Sequence, residues 1–397
     1  MKQSWIVLLL MTACGSCQHS IAVGPGFTDV SPRQLARSLA GHLYIVVPTC
    51  DRFPDCPGAR LQAYRGREAL DSKGYMLLDP QHAPGDGAGS TAIAQDADGR
   101  IHVLWNTRDG RARTATIDTA TDRWSDATDL EPTDWTDFGQ GDEGVALAVD
   151  AAGRSHAVWN RRIDGHLRLR YALLDSAMPE GASWSAPVTI DDVAPGDRRN
   201  AWHPTLAFAP DGSLWLSWLE GSTNYVDDGI IRVRARAPDG RWSPSEAIPG
   251  AAMTAIDNGP SMLVTADGVA HLSFVDTGNI VKYWYHDAAG WHGDRQPPDT
   301  RTHNPALGPD GEGGVRLYAH GTVPEGDLAG HGDDLFVMRL AAGRNAWGRW
   351  TRIAKGSVDC SVAVRWAQFH EPWPGLLDWA FWNDAYPNEL WIGSDAP

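Results

Sequence analysis

Asp98-Gly99-Arg100-Ile101-His102-Val103-Leu104-Trp105 decides the fold, because the chain repeats it. Ala152-Gly153-Arg154-Ser155-His156-Ala157-Val158-Trp159, Asp211-Gly212-Ser213-Leu214-Trp215-Leu216-Ser217-Trp218 and Asp267-Gly268-Val269-Ala270-His271-Leu272-Ser273-Phe274 keep the same order, a tight turn ending in glycine and then an apolar strand. Weaker copies stand at Ala40-Gly41, Asp310-Gly311 and Pro374-Gly375, so the turn recurs seven times with a period of about 55 residues. An Asp-Gly turn of this kind needs positive φ, which glycine adopts without a Cβ penalty, so the motif is structural rather than catalytic.

A second marker follows in the central units at Trp124-Ser125, Trp184-Ser185, Trp242-Ser243, Trp291 and Trp350, where it is expected to begin the outermost strand. Between the markers lie period-2 stretches such as Leu167-Arg-Leu-Arg-Tyr-Ala-Leu173 and Ile230-Ile-Arg-Val-Arg-Ala-Arg236, while helical periodicity is almost absent. Each unit therefore reads as four short antiparallel strands. Four-stranded units repeating end to end predict an all-β fold, a single β-propeller over residues 27–397 with seven blades. Six is the alternative if the first unit is only a closing embellishment. The last unit has three strand-like segments before the chain stops, and residues near Phe27–Val30 are expected to supply its fourth.

Residues 1–22 read as an export signal and linker: Lys2, an apolar stretch from Trp5 to Met11, then Thr12-Ala13-Cys14-Gly15. The stretch is too short to span a bilayer, which needs roughly 20 apolar residues. Met11-Thr-Ala-Cys14 resembles a bacterial lipobox, which implies lipidation of Cys14 and an outer-membrane or periplasmic lipoprotein. The rival is simple secretion with cleavage after Ser20-Ile21-Ala22. Export permits a disulfide, either between Cys50 and Cys56 or from Cys360 to one of them.

The formal net charge of −16 repels phosphate backbones and anionic lipid surfaces, so nucleic acid is not an expected partner and membrane contact is expected only through the lipid. Nineteen Trp residues suit packing between blades or stacking on sugars, and packing accounts for most of them. No zinc, calcium-loop, P-loop, dinucleotide or esterase fingerprint occurs, so neither a metal nor a cofactor is expected. The protein is expected to be a monomer.

The Asp-x-Gly-x-x-His-x-x-Trp strand followed by Trp-Ser resembles the bacterial BNR-repeat, sialidase-like propellers over most of residues 85–355. The Ser-x-Asp-x-Gly-x-Thr-Trp boxes and Arg-Ile-Pro element of true sialidases are missing, so the resemblance does not extend to that activity. Relatives of this broad type include seven-bladed polysaccharide lyases, in which His, Tyr and Arg above the channel act on a uronic acid. The resemblance therefore implies a poly- or oligosaccharide substrate.

Blade topology confines candidate chemistry to the face opposite the Asp-Gly turns, where first strands start and second strands end. His203, His303 and His320 fall there and are the catalytic candidates, with Tyr225 as a further acid or base. Arg108, Arg161, Arg162, Trp202, Asn106, Asn304 and Glu220 are the candidate substrate-binding residues: planar polar groups for hydroxyls, guanidinium for a carboxylate and an aromatic platform. His102, His156 and His271 occupy one repeat position and are expected to be structural. A uronate lyase must neutralise the carboxylate, remove the C5 proton and protonate the leaving oxygen. Only the unit with His303 and His320 offers a histidine pair like that of the related lyases. A glycoside hydrolase would draw on Asp142, Glu143, Glu220 or Asp384. A non-catalytic surface lipoprotein that binds glycans or proteins is the third reading.

Overall fold

The structure is a computed structural model that describes residues 19–22, 34–49, 60–66, 75–77, 88–107, 111–131, 144–175, 184–194, 197–222, 228–250, 259–278, 280–298, 301–322, 334–343, 345–354, 362–366, 377–382 and 389–395. Among these, every regular element is a strand. The strands are β1 (His19–Ala22); β2 (Leu35–Arg37), β3 (Leu43–Thr49), β4 (Arg60–Gly66), β5 (Tyr75–Leu77); β6 (Ala88–Gln95), β7 (Ile101–Thr107), β8 (Ala112–Asp118), β9 (Arg123–Trp124), β10 (Thr128–Glu131); and β11 (Ala146–Val149), β12 (Ser155–Ile163), β13 (His166–Leu174), β14 (Val188–Thr189). They continue as β15 (Asn200–Phe208), β16 (Leu214–Gly221), β17 (Ile230–Arg236), β18 (Glu246–Ala247); β19 (Ser261–Val264), β20 (Ala270–Val275), β21 (Val281–Asp287), β22 (Gly290–His292); β23 (Arg301–Pro309), β24 (Val315–Thr322), β25 (Asp334–Leu340), β26 (Thr351–Ala354); and β27 (Val362–Trp366), β28 (Leu377–Trp382), β29 (Glu389–Asp395).

The described strands form seven antiparallel sheets, six of them consecutive in the chain and the seventh running β27-β28-β29-β1. The first strands β2, β6, β11, β15, β19, β23 and β27 contact one another in a closed cycle, the arrangement of a propeller. The closing strand is β1, paired His19 to Ile392 through Ala22 to Glu389. It lies upstream of the Phe27–Val30 stretch expected for this role, which falls outside the described residues. The backbone hydrogen bonds of β29 thus find their last partner within the segment that also carries the export-signal pattern.

The repeat is legible atom by atom. In the turn from β6 to β7, Asp96 Oδ1 accepts from the backbone N–H of Asp98 and Arg100, and Gly99 sits at φ 83°. Asp150 serves the next blade in the same way, accepting from Ala152 and Arg154, with Gly153 at φ 79°. His102, His156 and His271 are buried and tie the strand to this turn: Nε2 of His102 lies 2.9 Å from Asp96, that of His156 3.3 Å from Asp150, and that of His271 3.0 Å from Thr265. Burial would raise the Asp96 carboxyl, but the hydrogen bond from His102 and the Arg100 contacts outweigh it and hold the group down at about 2. Burial depresses His271 to about 4, so it is neutral at pH 7.

Between blades, the closing aromatic of the second strand is sealed: Trp105, Trp159 and Trp218 are fully buried in successive units. The tryptophan of the second marker begins the outermost strand in one blade, where Trp291 lies in β22. Elsewhere it sits just before that strand or, at Trp124, in β9, a short added strand beside β8. The two ends of the ring are joined by a buried bidentate ion pair. Arg37 of β2 donates from Nε to Asp378 Oδ2 at 2.7 Å and from Nη2 to Oδ1 at 2.5 Å, and from Nη1 to the Gly41 carbonyl.

Candidate functional site

At the face opposite the Asp-Gly turns, the first strands do not start evenly. The register of β15 against β16 slips between Trp202 and Thr205, that of β23 against β24 between His303 and Ala306, and that of β6 against β7 between Ala88 and Thr91. Each slip is a bulge, which re-aims the side chains on it. Two of the bulged residues are held in the left-handed region, His203 at φ 51° and Asn304 at φ 47°. Both precede a proline, Pro204 and Pro305, which itself disfavours helical backbone in the residue before it. Non-glycine residues in such a conformation cost about 1–3 kcal/mol each and persist where surrounding structure imposes them.

The neighbours of His203 show what imposes it. Gly144 of the preceding blade and Gly259 of the following blade close on the histidine from either side. A Cβ on Gly144 would clash with Pro204 Cδ and lie 2.8 Å from His203 N, and one on Gly259 would lie 2.6 Å from His203 Cβ. Three blades therefore meet at His203, Gly144 against its backbone and Gly259 against its side chain. The residue as a whole is partly exposed, but Nε2 is shielded and finds no hydrogen-bond partner among the described residues. Burial pushes its pKa down to about 3, so the ring is neutral at pH 7. A base this weak removes protons poorly, since an efficient general base has a pKa near the working pH. A neutral imidazole here suits hydrogen bonding to a ligand group better than proton abstraction.

His303 and His320 are direct partners in the register of β23 with β24, at the mouth end of the sixth sheet and beside the bulge at Asn304. Directly opposed residues of an antiparallel pair stand about 4.5–5.5 Å apart and share one face of the sheet. Asn304 is buried. Asn106, at the same repeat position as His320, is also buried, with neither amide atom paired among the described residues. Its counterpart one blade on, Asn160, instead donates to the Ala201 carbonyl at 2.5 Å and staples two blades beside Trp202.

Other candidates are placed differently. Trp202 is 1% exposed and packs into the core with Leu219, Ile231 and Phe274, so it offers no platform to a sugar; the apolar faces of two blades claim the ring. Glu220 is buried and clamped by Arg199 at 2.9 Å and Arg232 at 3.4 Å, so two arginines already claim its carboxyl group. Arg161 is drawn outward to Glu131 of β10, which also receives Arg170 at 2.9 Å, because a buried carboxylate must be paired. Arg162 donates to the Gly165 carbonyl within its own hairpin. Neither arginine joins His203. Tyr225, Arg108, Asp142, Glu143, Asp384 and Cys14, Cys50, Cys56 and Cys360 lie outside the described residues. Sequence reasoning missed Gly144 and Gly259; glycine directly at the start of a first strand, opposite a neighbour's histidine, was the available signal.

No family model matches the chain, and no curated protein matches it. Solved structures do. A lectin from Burkholderia pseudomallei, BP39L, superposes with a TM-score of 0.60 at 14% identity, covering 93% of this chain and 98% of its own. An ulvan lyase of polysaccharide lyase family PL25 superposes at 0.58 with 11% identity, covering 94% and 95%. An α-L-arabinanase from Penicillium chrysogenum superposes at 0.51 with 13% identity, covering 96% and 99%. Identities this low carry the architecture and nothing finer, and the architecture agrees with the closed cycle of four-stranded sheets: the chain is a β-propeller.

Proposed function

We propose that the protein is an exported, carbohydrate-active propeller that cleaves a uronate-containing polysaccharide by β-elimination at the channel mouth. One observation carries the reading: His303 and His320 stand opposite each other in register at a bulged corner, where a base and an acid are needed together. In this scheme one histidine removes the C5 proton and the other protonates the leaving glycosidic oxygen, so the bond breaks without water. Asn304 and the orphaned amide of Asn106 supply hydrogen bonds to the ring and its carboxyl group, and neutral His203 holds a hydroxyl. The ulvan lyase and lectin among the propellers of like shape support a saccharide ligand, and the BNR-type repeat agrees with them. The hydrolase reading has less support, since Glu220 is spent on two arginines.

The test is absorbance near 235 nm, where an unsaturated uronate absorbs, during incubation with a panel of uronate polysaccharides. A rise that disappears in His303→Ala and His320→Ala, with melting temperature unchanged, supports the proposal. No rise on any substrate, alongside retained glycan binding, favours a lectin-like role. The same proposal puts the protein outside the cytoplasm on a lipid at Cys14. Cleavage there keeps β1, whereas cleavage after Ala22 would remove the strand that pairs with β29. Intact mass of the mature protein distinguishes the two.

A further inference from the structure

The repeat exposes a gap between the second and third blades. In the third blade, His156 donates from Nε2 to Asp150, and its Nδ1 accepts from the Tyr171 hydroxyl at 2.9 Å. In the fifth blade, His271 Nδ1 accepts from Tyr283 at 2.6 Å. Both tyrosines hold one register position: Tyr171 pairs with Val158 and Tyr283 with Ser273. The second blade carries Thr114 there, paired with Leu104. His102 still donates from Nε2 to Asp96 at 2.9 Å, which leaves Nδ1 as an acceptor, but the hydroxyl that should meet it is missing. Among the described residues Nδ1 has no partner, and His102 is only 2% exposed. The Thr114 hydroxyl does not replace the phenol, because it donates to the Val103 carbonyl at 2.9 Å.

The tyrosine ring is missing as well. Tyr171 packs edge-on against Trp242 at 5.4 Å, and the tryptophan at the same repeat position one blade earlier is Trp184. Where a ring would lie between Thr114 and Trp184 there is a cleft of about 390 Å³, lined by His102, Thr114, Trp184 and, at its open side, Ser125, Asp126 and Thr128. A cleft of this size suits a small ligand.

We propose that this cleft between blades binds a neutral pyranose, one of whose hydroxyls donates to His102 Nδ1 while the ring lies against Trp184. The buried acceptor needs a donor, because burial has already cost it its hydrogen bond to water. The hydroxyl groups of Ser125 and Thr128 and the carboxylate of Asp126 favour a ring with several hydroxyls over a phenol. Asp126 and Asp129 beside the cleft disfavour an anionic sugar; Asp129 is already paired with Arg113 at 2.7 Å. The site is independent of the chemistry at the channel mouth.

The test is saturation-transfer NMR on the intact protein with glucose, galactose, mannose, fucose and xylose, and with p-cresol as the phenol probe. At least one sugar binds at millimolar concentration and loses tenfold or more in affinity in Thr114→Tyr. That variant places in the second blade the tyrosine the third and fifth blades already carry, so it fills the cleft and supplies the missing donor while keeping the fold. Trp184→Ala, at the lip of the cleft, gives the same loss should Thr114→Tyr fail to fold. Polysaccharide turnover is unchanged in both variants, which separates this site from the mouth. Binding of no sugar, binding unchanged in the variants, or binding of p-cresol alone would overturn the proposal.

Discussion

Removing one partner of the Arg37–Asp378 pair should open the ring. The two side chains are 2% and 0% exposed, meet through two hydrogen bonds of 2.7 and 2.5 Å, and join the first blade to the last. Asp378→Ala leaves the guanidinium buried with the Gly41 carbonyl as its remaining acceptor among the bonds described above, and breaking a buried pair in this way costs about 3–5 kcal/mol. At about 2.1 cal/mol/K of unfolding entropy per residue, a chain of 397 residues has roughly 0.8 kcal/mol/K, so a loss of 4 kcal/mol lowers the melting temperature by about 5 °C. Arg37→Leu should behave alike. The double variant Arg37→Leu/Asp378→Leu should recover much of the loss, since neither charge is then stranded. Scanning calorimetry of the wild type, the single variants and the double variant measures all of this. Single variants that melt within a degree of wild type would show that the pair does not latch the ring.

Acid should destabilise the protein well before its carboxylates titrate. His271 is held at about 4 in the fold, against about 6.5 when unfolded, so below pH 6.5 the unfolded chain binds a proton the folded one refuses. The stability this group contributes is complete above pH 6.5 and falls by about 2 kcal/mol on going to pH 5, which urea unfolding at the two values measures. A His271→Gln variant should flatten that slope. Asp96 acts lower: its depressed carboxyl contributes stability above about pH 4 that is lost as pH falls towards 2. Gly259→Ala drives a methyl to 2.6 Å from His203 Cβ, and the expected cost is about 1–3 kcal/mol with loss of glycan binding or turnover at the mouth. If Gly259→Ala binds and melts like wild type, His203 is not confined as described.

The candidate site was less legible than the scaffold around it. Trp202 looked like a platform because tryptophan suits sugars, and Glu220 and Arg161 looked available because they end strands at the right face. Arg161 is taken by Glu131 of the neighbouring blade, Trp202 by a core shared with the next blade, and Glu220 by two arginines of its own blade, on neighbours about 10 to 70 residues away in sequence that no local pattern encodes. His203 lies near the start of β15, at the register slip against β16. Its left-handed backbone, its two glycine walls and its neutral ring emerge only when three blades are brought together. His303 and His320 fall at neighbouring ends of two paired strands in the sequence, but it is the bulge between His303 and Ala306 that sets them directly opposite one another.

By itself the sequence determined the strand pattern and the four-stranded unit recurring along the chain, because glycine turns and period-2 apolar strands are local requirements of a pleated sheet, while it left seven units against six open. It also marked His102, His156 and His271 as structural, since a residue that recurs at one repeat position answers a need that recurs. The tertiary structure alone decided which strand closes the ring, with β1 at His19–Ala22 taking the place expected of Phe27–Val30, because any short strand can meet an open edge and only geometry selects one. It alone decided that Arg37 meets Asp378, and that Thr114, in a tyrosine's place, leaves His102 with an unmet acceptor, because these pairings join residues the chain brings together only by closing and stacking its blades.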